Sequence, residues 1–305
     1  MRVTVLSSGS GGNCTLIEGA GLRVLVDAGL PLREVKKRLE AAGVPLSKGP
    51  ISDLLITHEH SDHGGNAGVL GRQLGLAVRA TEGTLRALRD PPPEELWHFL
   101  EAGVPIRLDA PEQPLPVQLP NVVPLRPTPL GAELWVTPIA LPHDAAAPVA
   151  YRFEERTALG SVHAAIITDL GHVPQSVVAA LQGLDLLVIE FNHDVQMLVD
   201  GPYPWALKQR IRGGRGHLSN AQAAGLLAKV THPGLREVVL AHLSEHNNTP
   251  KLAREAAEQV LARAQSGARL QLGSVQGALL PIQVEPAAVS PGSRARWKPA
   301  QLALL

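Results

Sequence analysis

Short runs of β-branched and aliphatic residues alternate with amphipathic segments along most of the chain. The apolar runs predict strands at residues 3–7, 14–18, 22–27, 54–57, 134–141, 149–153, 164–168, 186–191 and 237–241. Apolar positions at helical spacing predict helices at residues 31–42, 64–74, 94–102, 174–181, 220–230 and 250–265. Because strands and helices alternate in both halves, the pattern indicates an α/β protein.

Two strand ends carry the same short signal. Asp27 follows one apolar run and comes two residues before Gly29, and Asp169 follows another and comes two residues before Gly171. The repeated signal indicates two related halves. We therefore predict a layered α/β sandwich with two sheets rather than one doubly wound sheet.

Composition limits the classes of function. The 305 residues include 28 basic and 28 acidic side chains, and this zero net charge excludes binding of nucleic acid through an overall positive charge. One cysteine excludes a disulfide framework and a cysteine-rich zinc site, whereas twelve histidines favour a metal site of imidazoles and carboxylates. The chain has no apolar run of about 18 residues and no signal-peptide pattern at its N-terminus. We therefore expect no membrane span and a cytoplasmic location.

The chain is predicted to hold one domain and a tail. Residues 111–129 contain seven prolines, which predict a loop or extended connector within the domain. The segment 286–305 contains no acidic residue, and it has three prolines and three basic side chains. We interpret residues 1–285 as the folded domain and residues 286–305 as a basic tail outside its core.

The strongest chemical signal is the hexapeptide His-Glu-His-Ser-Asp-His at residues 58–63. It directly follows a predicted strand, and in extended backbone His58 and His60 point the same way. Asp62 and His63 lie at the turn into the next helix, where they can face a second metal ion. A solvated polar loop at a helix start is the alternative. Three imidazoles and a carboxylate within six residues favour a metal site.

One hexapeptide cannot complete two coordination spheres, so further ligands are expected at other strand ends. His143, Asp169 and His242 each follow an apolar run. Taken singly, they could be a surface histidine, a turn aspartate and a partly buried histidine. Together with the hexapeptide they give five histidines and two aspartates, a set typical of a two-metal site with a bridging carboxylate. Zn²⁺, Mn²⁺ and iron all suit such donors.

This order of histidines and aspartates resembles the metallo-β-lactamase superfamily. The resemblance implies a four-layer αββα sandwich and two divalent metal ions. It implies that the first ion binds His58, His60 and His143. It implies that the second ion binds Asp62, His63 and His242, with Asp169 as the bridge between the two. Asp27 matches an early structural aspartate, which is expected to orient the ligand loops.

Members of this superfamily cleave β-lactams, thioesters, lactones and phosphodiesters, so the fold does not decide the substrate. Glu190 ends an apolar run, and His217 opens a predicted helix. The two resemble the Glu-His pair of the phosphodiesterase branch, which implies that His217 protonates the leaving alkoxide while Glu190 orients it. Asp62, His217 and Glu190 are thus the candidate catalytic residues. A solvent-facing histidine and a structural salt bridge are the alternatives.

The local charge is asymmetric although the net charge is zero. Between Asp200 and Glu237 there is no acidic residue and there are six basic ones. Residues 208–215 predict a flexible basic loop directly before His217. Cations beside aromatic side chains are suited to single-stranded nucleic acid, so the candidate substrate-binding residues are Lys208, Arg210, Arg212, Arg215, Tyr203 and Trp205. A solvated basic face, with the aromatic residues in the core, is the alternative.

Four segments are similar to the YycJ (WalJ) exonuclease branch of the superfamily: residues 6–13, 190–194, 215–220 and 242–248. The resemblance implies 5′-to-3′ degradation of DNA, dependence on Mn²⁺ or Zn²⁺, and a role in DNA repair. Together with the basic and aromatic residues before His217, it leads us to expect that single-stranded DNA is favoured. Asn247 and Asn248, within these segments, are candidate substrate contacts. His193 is a candidate contact to substrate or metal, and a partly buried, hydrogen-bonded histidine is its alternative. Cys14 and Phe191 stand where serine is expected. An RNA-processing nuclease and a small-molecule lactone or thioester hydrolase are the alternative functions.

The end of the chain suggests a partner. Its last five residues, Gln-Leu-Ala-Leu-Leu, resemble the Gln-Leu-x-Leu-Phe/Leu peptide by which bacterial replication and repair proteins bind the sliding clamp. Such a peptide needs a flexible tether and a pair of leucines that can enter an apolar groove. The candidate partner-binding residues are Gln301, Leu302, Leu304 and Leu305. An apolar end that packs on its own domain is the alternative.

Overall fold

A computed structural model of the chain describes residues 1–109 and 131–286, which form two seven-stranded sheets. The predicted connector at 111–129 and the predicted clamp-binding peptide therefore lie outside the described residues. The first sheet contains β1 (Arg2–Ser7), β2 (Cys14–Gly19), β3 (Leu22–Val26), β4 (Asp53–Leu55), β5 (Ala77–Ala80), β6 (Trp97–Phe99) and β14 (Ile282–Gln283). The second contains β7 (Ile106–Leu108), β8 (Glu133–Ala140), β9 (Val149–Thr157), β10 (Gly160–Ile167), β11 (Leu186–Glu190), β12 (Glu237–Ala241) and β13 (Arg269–Leu272).

The two sheets have the same pattern of strand directions. Their orders are β14-β1-β2-β3-β4-β5-β6 and β13-β12-β11-β10-β9-β8-β7. In the first sheet β3 pairs antiparallel with β2 and parallel with β4, and in the second β10 pairs antiparallel with β9 and parallel with β11. Asp27 and Asp169 follow these two equivalent strands, which agrees with the two related halves that the sequence predicts.

Helices cover the outer faces of both sheets. Those of the first half are α1 (Leu32–Ala41), α2 (Ser61–Gly64), α3 (Ala67–Leu74) and α4 (Glu82–Ala87). Those of the second half are α5 (Gln175–Ala180), α6 (Val195–Asp200), α7 (Trp205–Arg212), α8 (Asn220–Val230) and α9 (Pro250–Arg263). Short 3₁₀ turns occupy Leu46–Lys48 and Glu94–Leu96.

Three apolar clusters hold these layers together. One fills the space between the sheets and includes Val24 and Phe153, and the other two join each sheet to its own helices. β3 shows how the sequence specifies this packing: Val24 and Val26 face the opposite sheet, whereas Leu25 faces the helices. Alternate residues of a strand point to opposite faces, so a strand between two layers needs apolar residues at every position. The predicted four-layer αββα sandwich is confirmed.

Two predicted elements differ from the structure. Residues 94–102 do not form a helix, because Trp97–Phe99 pairs in parallel with β5 as the edge strand of its sheet. The predicted basic loop at 208–215 lies partly in α7, which ends at Arg212. Across residues 1–109 and 131–286, none of the helices combines the length and apolar character needed to cross a bilayer.

Candidate metal centre

The predicted metal ligands meet at one edge of the sandwich, where several strands end. His58, His60, Asp62 and His63 follow β4, and His143, Asp169 and His242 follow β8, β10 and β12. His60 and Asp62 are half-buried, and the other five are buried. Neighbouring strands thus bring together residues that lie up to 184 positions apart in the sequence.

The histidine ring nitrogens of the first predicted group face one another. Nε2 of His58 lies 3.1 Å from Nδ1 of His60, and Nε2 of His143 lies 3.4 Å from that same atom. Ring nitrogens in such proximity repel unless a proton or a cation lies between their lone pairs. This group can therefore hold one metal ion.

The second predicted group lies beside the first. Nε2 of His63 is 3.5 Å and Nε2 of His242 is 3.4 Å from Oδ2 of Asp62. Asp169 lies between the groups, with Oδ2 at 2.9 Å from Nε2 of His63 and Oδ1 at 3.9 Å from Nε2 of His143. Asp169 therefore has the position that a bridging carboxylate requires.

Hydrogen bonds behind the cluster fix the direction of three of its rings. Nδ1 of His63 lies 2.8 Å from Oδ2 of Asp27, and Nδ1 of His143 lies 3.1 Å from the carbonyl oxygen of Gly216. Nδ1 of His242 lies 3.2 Å from a Glu190 oxygen. Because carbonyl and carboxylate oxygens only accept, each Nδ1 carries a proton and each Nε2 faces the cluster, where its lone pair is free to bind a cation when the ring is neutral.

Backbone conformation also turns side chains toward the cluster. Asp27, Asp169 and His242 have φ values of 64°, 61° and 53°, in the left-handed region that is uncommon for residues other than glycine. All three lie within two residues of a strand end. Such conformations cost roughly 1–3 kcal/mol each and concentrate at functional sites.

The burial and the chemical type of the donor atoms also suit divalent cations. Oδ2 of Asp169 is buried and accepts no hydrogen bond of acceptable geometry, although Nε2 of His63 lies 2.9 Å away. A buried carboxylate oxygen this close to an imidazole lone pair is costly unless a cation or a proton lies between them. Five imidazoles and two carboxylates also have the softness that Zn²⁺ and Mn²⁺ accept. The His and Asp groups are thus suited to a dinuclear metal site.

Glu190 and His217 lie next to the cluster. Oε1 of Glu190 is 2.8 Å from Nδ1 of His217 and 3.2 Å from Nδ1 of His242, while Oε2 accepts the backbone N–H of Leu170 and of Leu218. Glu190, His217, His242 and Asp169 are close enough to form a further group of metal donors. Glu190 is 1% exposed and already accepts four hydrogen bonds, so its oxygens serve the two histidines rather than a metal ion.

The two side chains shift each other's pKa. Burial by itself raises the pKa of Glu190, but the charge and hydrogen bond of His217 outweigh it and lower this pKa to about 2. Burial by itself lowers the pKa of His217, but the Glu190 carboxylate outweighs it and raises this pKa above its ordinary value. His217 is therefore favoured in its protonated form, and Nε2 is the ring nitrogen left for a substrate.

A cavity of about 320 Å³ opens beside the cluster, lined by Asp62, Asp169, His217 and His242 among others. Of the predicted substrate-binding residues, Tyr203 and Arg210 line it. Nε of Arg210 lies 2.5 Å from Oδ2 of Asp144, another lining residue.

The other predicted basic and aromatic residues lie away from the cavity lining. Lys208 donates to the carbonyl oxygen of Val199 at 2.6 Å. Arg212 and Arg215 are exposed, and Trp205 is 66% exposed. Arg212, Arg215 and Trp205 are thus solvated whereas Lys208 is half-buried, and Trp205 is not a core residue.

Three predicted substrate contacts are in the interior. His193, Asn247 and Asn248 are buried and are not among the residues that line the cavity. Asn248 donates to the carbonyl oxygens of Phe191 and Asn192, and it bonds to Asn220. This buried placement does not agree with their prediction as substrate contacts. Polar side chains that match a family motif can instead hold loops together by hydrogen bonds.

Several lining residues were not predicted from the sequence. Leu207 and Ile211 come from α7, and Ser10, Asn192 and Ser244 come from loops at strand ends. Tyr203, Leu207 and Ile211 are spaced by four residues, a helical interval that could have pointed to one shared face. The serines and Asn192 lie within or beside the family motifs but carry no local signal of their own.

Comparison with known proteins shows the family to which the chain is similar. The model of the metallo-β-lactamase superfamily matches residues 8–158. The chain is 33% identical over 261 residues to exodeoxyribonuclease YycJ of Bacillus anthracis, and the match covers 86% of this chain and 89% of that protein. It is 31% identical over 267 residues to exodeoxyribonuclease WalJ of Streptococcus pneumoniae serotype 2, and this match covers 87% of this chain and 90% of that protein.

Solved structures agree on the fold. The metallo-β-lactamase fold protein YhfI from Bacillus subtilis superposes with a TM-score of 0.60 at 17% identity, over 91% of this chain and 98% of that one. Zn²⁺-bound PqqB from Methylobacterium extorquens gives 0.59 at 15% identity, over 93% of this chain and 100% of that one. The chain therefore belongs to the metallo-β-lactamase superfamily, in the family of the YycJ and WalJ exodeoxyribonucleases, and is a metal-dependent hydrolase.

Proposed function

We propose that this protein is a two-metal phosphodiesterase that degrades DNA as a 5′-to-3′ exonuclease, favours single-stranded DNA and acts in DNA repair. The observation that carries the proposal is the Glu190–His217 pair beside the metal ligands. Cleavage of a phosphodiester expels an alkoxide, which is a poor leaving group and needs a proton donor. The chain matches, over most of their length, relatives that are named exodeoxyribonucleases, and this similarity supports DNA as the substrate.

His217 is the proposed proton donor. Its Nδ1 is hydrogen-bonded to Glu190 at 2.8 Å, and its ring lines the cavity beside Asp169 and His242. Glu190 fixes the orientation of the ring and favours its charged form. The proton at Nε2 of His217 can then pass to the leaving oxygen of the scissile bond.

His58, His60 and His143 would hold one divalent cation, Asp62, His63 and His242 the other, and Asp169 would contact both. Two such cations, Mn²⁺ or Zn²⁺, lower the pKa of a water molecule and neutralise charge on the phosphate. Asp27 holds the ring of His63 from behind, as carboxylates commonly do for histidine ligands.

Arg210 is the proposed phosphate-binding residue at the cavity. Its exposed guanidinium is held by a single carboxylate, that of Asp144, so it can turn to a phosphate of the substrate. Lys208 and Arg212 in the same helix, and Arg215 shortly after it, add positive charge outside the cavity lining and would attract the strand there.

The test offers the metal-loaded protein 5′- and 3′-labelled single- and double-stranded DNA, a pre-tRNA and a lactone. We expect single-stranded DNA to be degraded fastest, with loss of the 5′ label as mononucleotide before the 3′ label shortens. Asp62→Ala is the control and should abolish cleavage while its circular dichroism stays unchanged. Absence of phosphodiester cleavage, or cleavage that survives Asp62→Ala, would exclude the proposal.

We further propose that residues 1–285 form the catalytic domain and that the tail 286–305 binds the bacterial sliding clamp through Gln301, Leu302, Leu304 and Leu305. The similarity of the last five residues to clamp-binding peptides supports this. The full chain should bind purified clamp, and a chain of residues 1–299 should not. Equal binding by the two would end the clamp proposal and leave the nuclease proposal intact.

A further inference from the structure

Helix α7 has an apolar face that the protein core does not use. None of its side chains is buried, and Leu207 and Ile211 are only half-buried. Leu207, Arg210 and Ile211 line the cavity and are spaced by three and four residues, so they share one face of the helix. Tyr203, four residues before Leu207, lines the cavity as well.

Apolar side chains reach the cavity from this segment alone, among the described residues. Of the side chains that line it, Tyr203, Leu207 and Ile211 are the apolar ones, and the others are polar, charged or glycine. A half-buried leucine and isoleucine beside a cluster of imidazoles and carboxylates leave apolar area in water. A ligand group that covers them would be stabilised by the hydrophobic effect.

The aromatic part of this wall is supported from a second element. The ring of His246, in the loop that follows β12, packs edge-to-face on Tyr203, with centroids 5.7 Å apart and planes at 78°. Aromatic pairs favour this arrangement. The contact restricts the ring of Tyr203, so the wall combines a supported aromatic ring with two aliphatic side chains.

We propose that Tyr203, Leu207 and Ile211 form a subsite for the nucleobase of a nucleotide that flanks the scissile phosphate. The subsite rests on the proposed function and names the part of the substrate that α7 recognises. Arg210 lies on the same helix face and between these side chains in sequence, so a base on the wall brings its phosphate toward the guanidinium and the metal cluster.

Charge favours a nucleotide over an uncharged acyl group as the occupant. α7 and the four residues after it carry Lys208, Arg210, Arg212 and Arg215 and no acid. The cavity volume is near the lower end of the range for small-ligand pockets, about 300–1,000 Å³. A strand would therefore insert one nucleotide and leave the rest on the basic surface.

The experiment uses 5′-phosphorylated single-stranded oligonucleotides that lack one base, at nucleotide one, two or six from the 5′ end. For the metal-loaded wild type we expect kcat/KM to fall about tenfold when the base beside the scissile bond is missing, at nucleotide one or two, because stacking is lost. Removal of the sixth base should have no such effect on the first cleavage.

Two variants test the wall: a double variant with Leu207→Ser and Ile211→Ser, and a single variant with Tyr203→Ala. Each should cleave intact and abasic substrates at equal rates. Gln209→Ser, on the exposed part of the same helix, is the matched control and should keep the wild-type preference. Since α7 buries no side chain and Tyr203, just before it, is only half-buried, thermal unfolding should be the same for all four proteins.

Equal cleavage of intact and abasic DNA by the wild type would overturn the subsite while leaving the nuclease intact. So would a base preference that survives the α7 substitutions. Hydrolysis of an acyl lactone that is lost in these variants would assign the wall to an acyl chain instead. If the wild type cleaves no DNA, the proposed function itself fails, and the subsite with it.

Discussion

Replacement of Glu190 by glutamine changes one oxygen to an amide nitrogen and keeps the size of the side chain. In the protein Oε1 faces the ring N–H groups of His217 and His242, and Oε2 faces the backbone N–H groups of Leu170 and Leu218. Glutamine has one acceptor oxygen, so in either orientation its NH₂ group meets two other donors. The substitution therefore removes two hydrogen bonds whichever way the amide points.

The expected magnitude depends on the leaving group. Buried donors without an acceptor cost about 1–3 kcal/mol each. Where the amide nitrogen faces the histidines, loss of the acceptor for His242 should also weaken metal binding by about 10- to 100-fold. At saturating metal we expect DNA hydrolysis to fall by about 100- to 10,000-fold, the range that general acid–base catalysis supplies. A 4-nitrophenyl ester of thymidine phosphate should lose less than about tenfold, because its phenolate leaves without a proton.

The pH dependence of kcat on DNA gives a second measurement. Burial lowers the pKa of His217, but Glu190 outweighs it and raises this pKa above the ordinary value. An acid catalyst acts while protonated, so activity persists below the raised pKa and is lost as the pH rises through it. Without the carboxylate the pKa of His217 falls, and the alkaline limb should move to lower pH.

Glu258→Gln provides the control, since Glu258 lies exposed on α9, and it should behave as the wild type. Rates are compared only where a metal titration shows saturation. Equal losses on the two substrates, or an alkaline limb that does not move, would refute the assignment of His217 as acid and Glu190 as its orienting partner.

Three further substitutions test the supports of the site. Asp27→Asn keeps a residue that tolerates positive φ but weakens the acceptor for His63, so metal affinity, measured against a chromophoric chelator, should fall about 10- to 100-fold; unchanged affinity would contradict this role. Gly29→Ala places a methyl group against the backbone of Asp62 and Asn13, and should lower both the metal content per chain and the Tm; a fully loaded variant of normal Tm would contradict the close approach. Phe153→Ala opens the core between the sheets and should lower the free energy of unfolding in urea by about 3–5 kcal/mol; a loss below about 1 kcal/mol would show that the core refills the space.

Local sequence features were sufficient for many elements. The helix at 220–230 and the strand at 237–241 have the bounds that apolar spacing predicts. The prediction of a helix at residues 94–102 was wrong, because strand pairing with β5 outweighed local propensity at the sheet edge. α7 was missed because it buries no side chain and so lacks the strong apolar stripe that identifies a helix.

The sequence by itself determined the chemistry of this protein: the His-x-His-x-Asp-His segment, the later His and Asp residues at strand ends, and the resemblance to its family. These signals are local, because each depends on a few consecutive residues and on the strand before them. Only the tertiary structure decided which side chains meet. It brought Glu190 to both His217 and His242, buried His193, Asn247 and Asn248, and turned one face of α7 to the cavity. Such contacts join residues far apart in the chain, so they depend on the order and register of the strands rather than on local pattern.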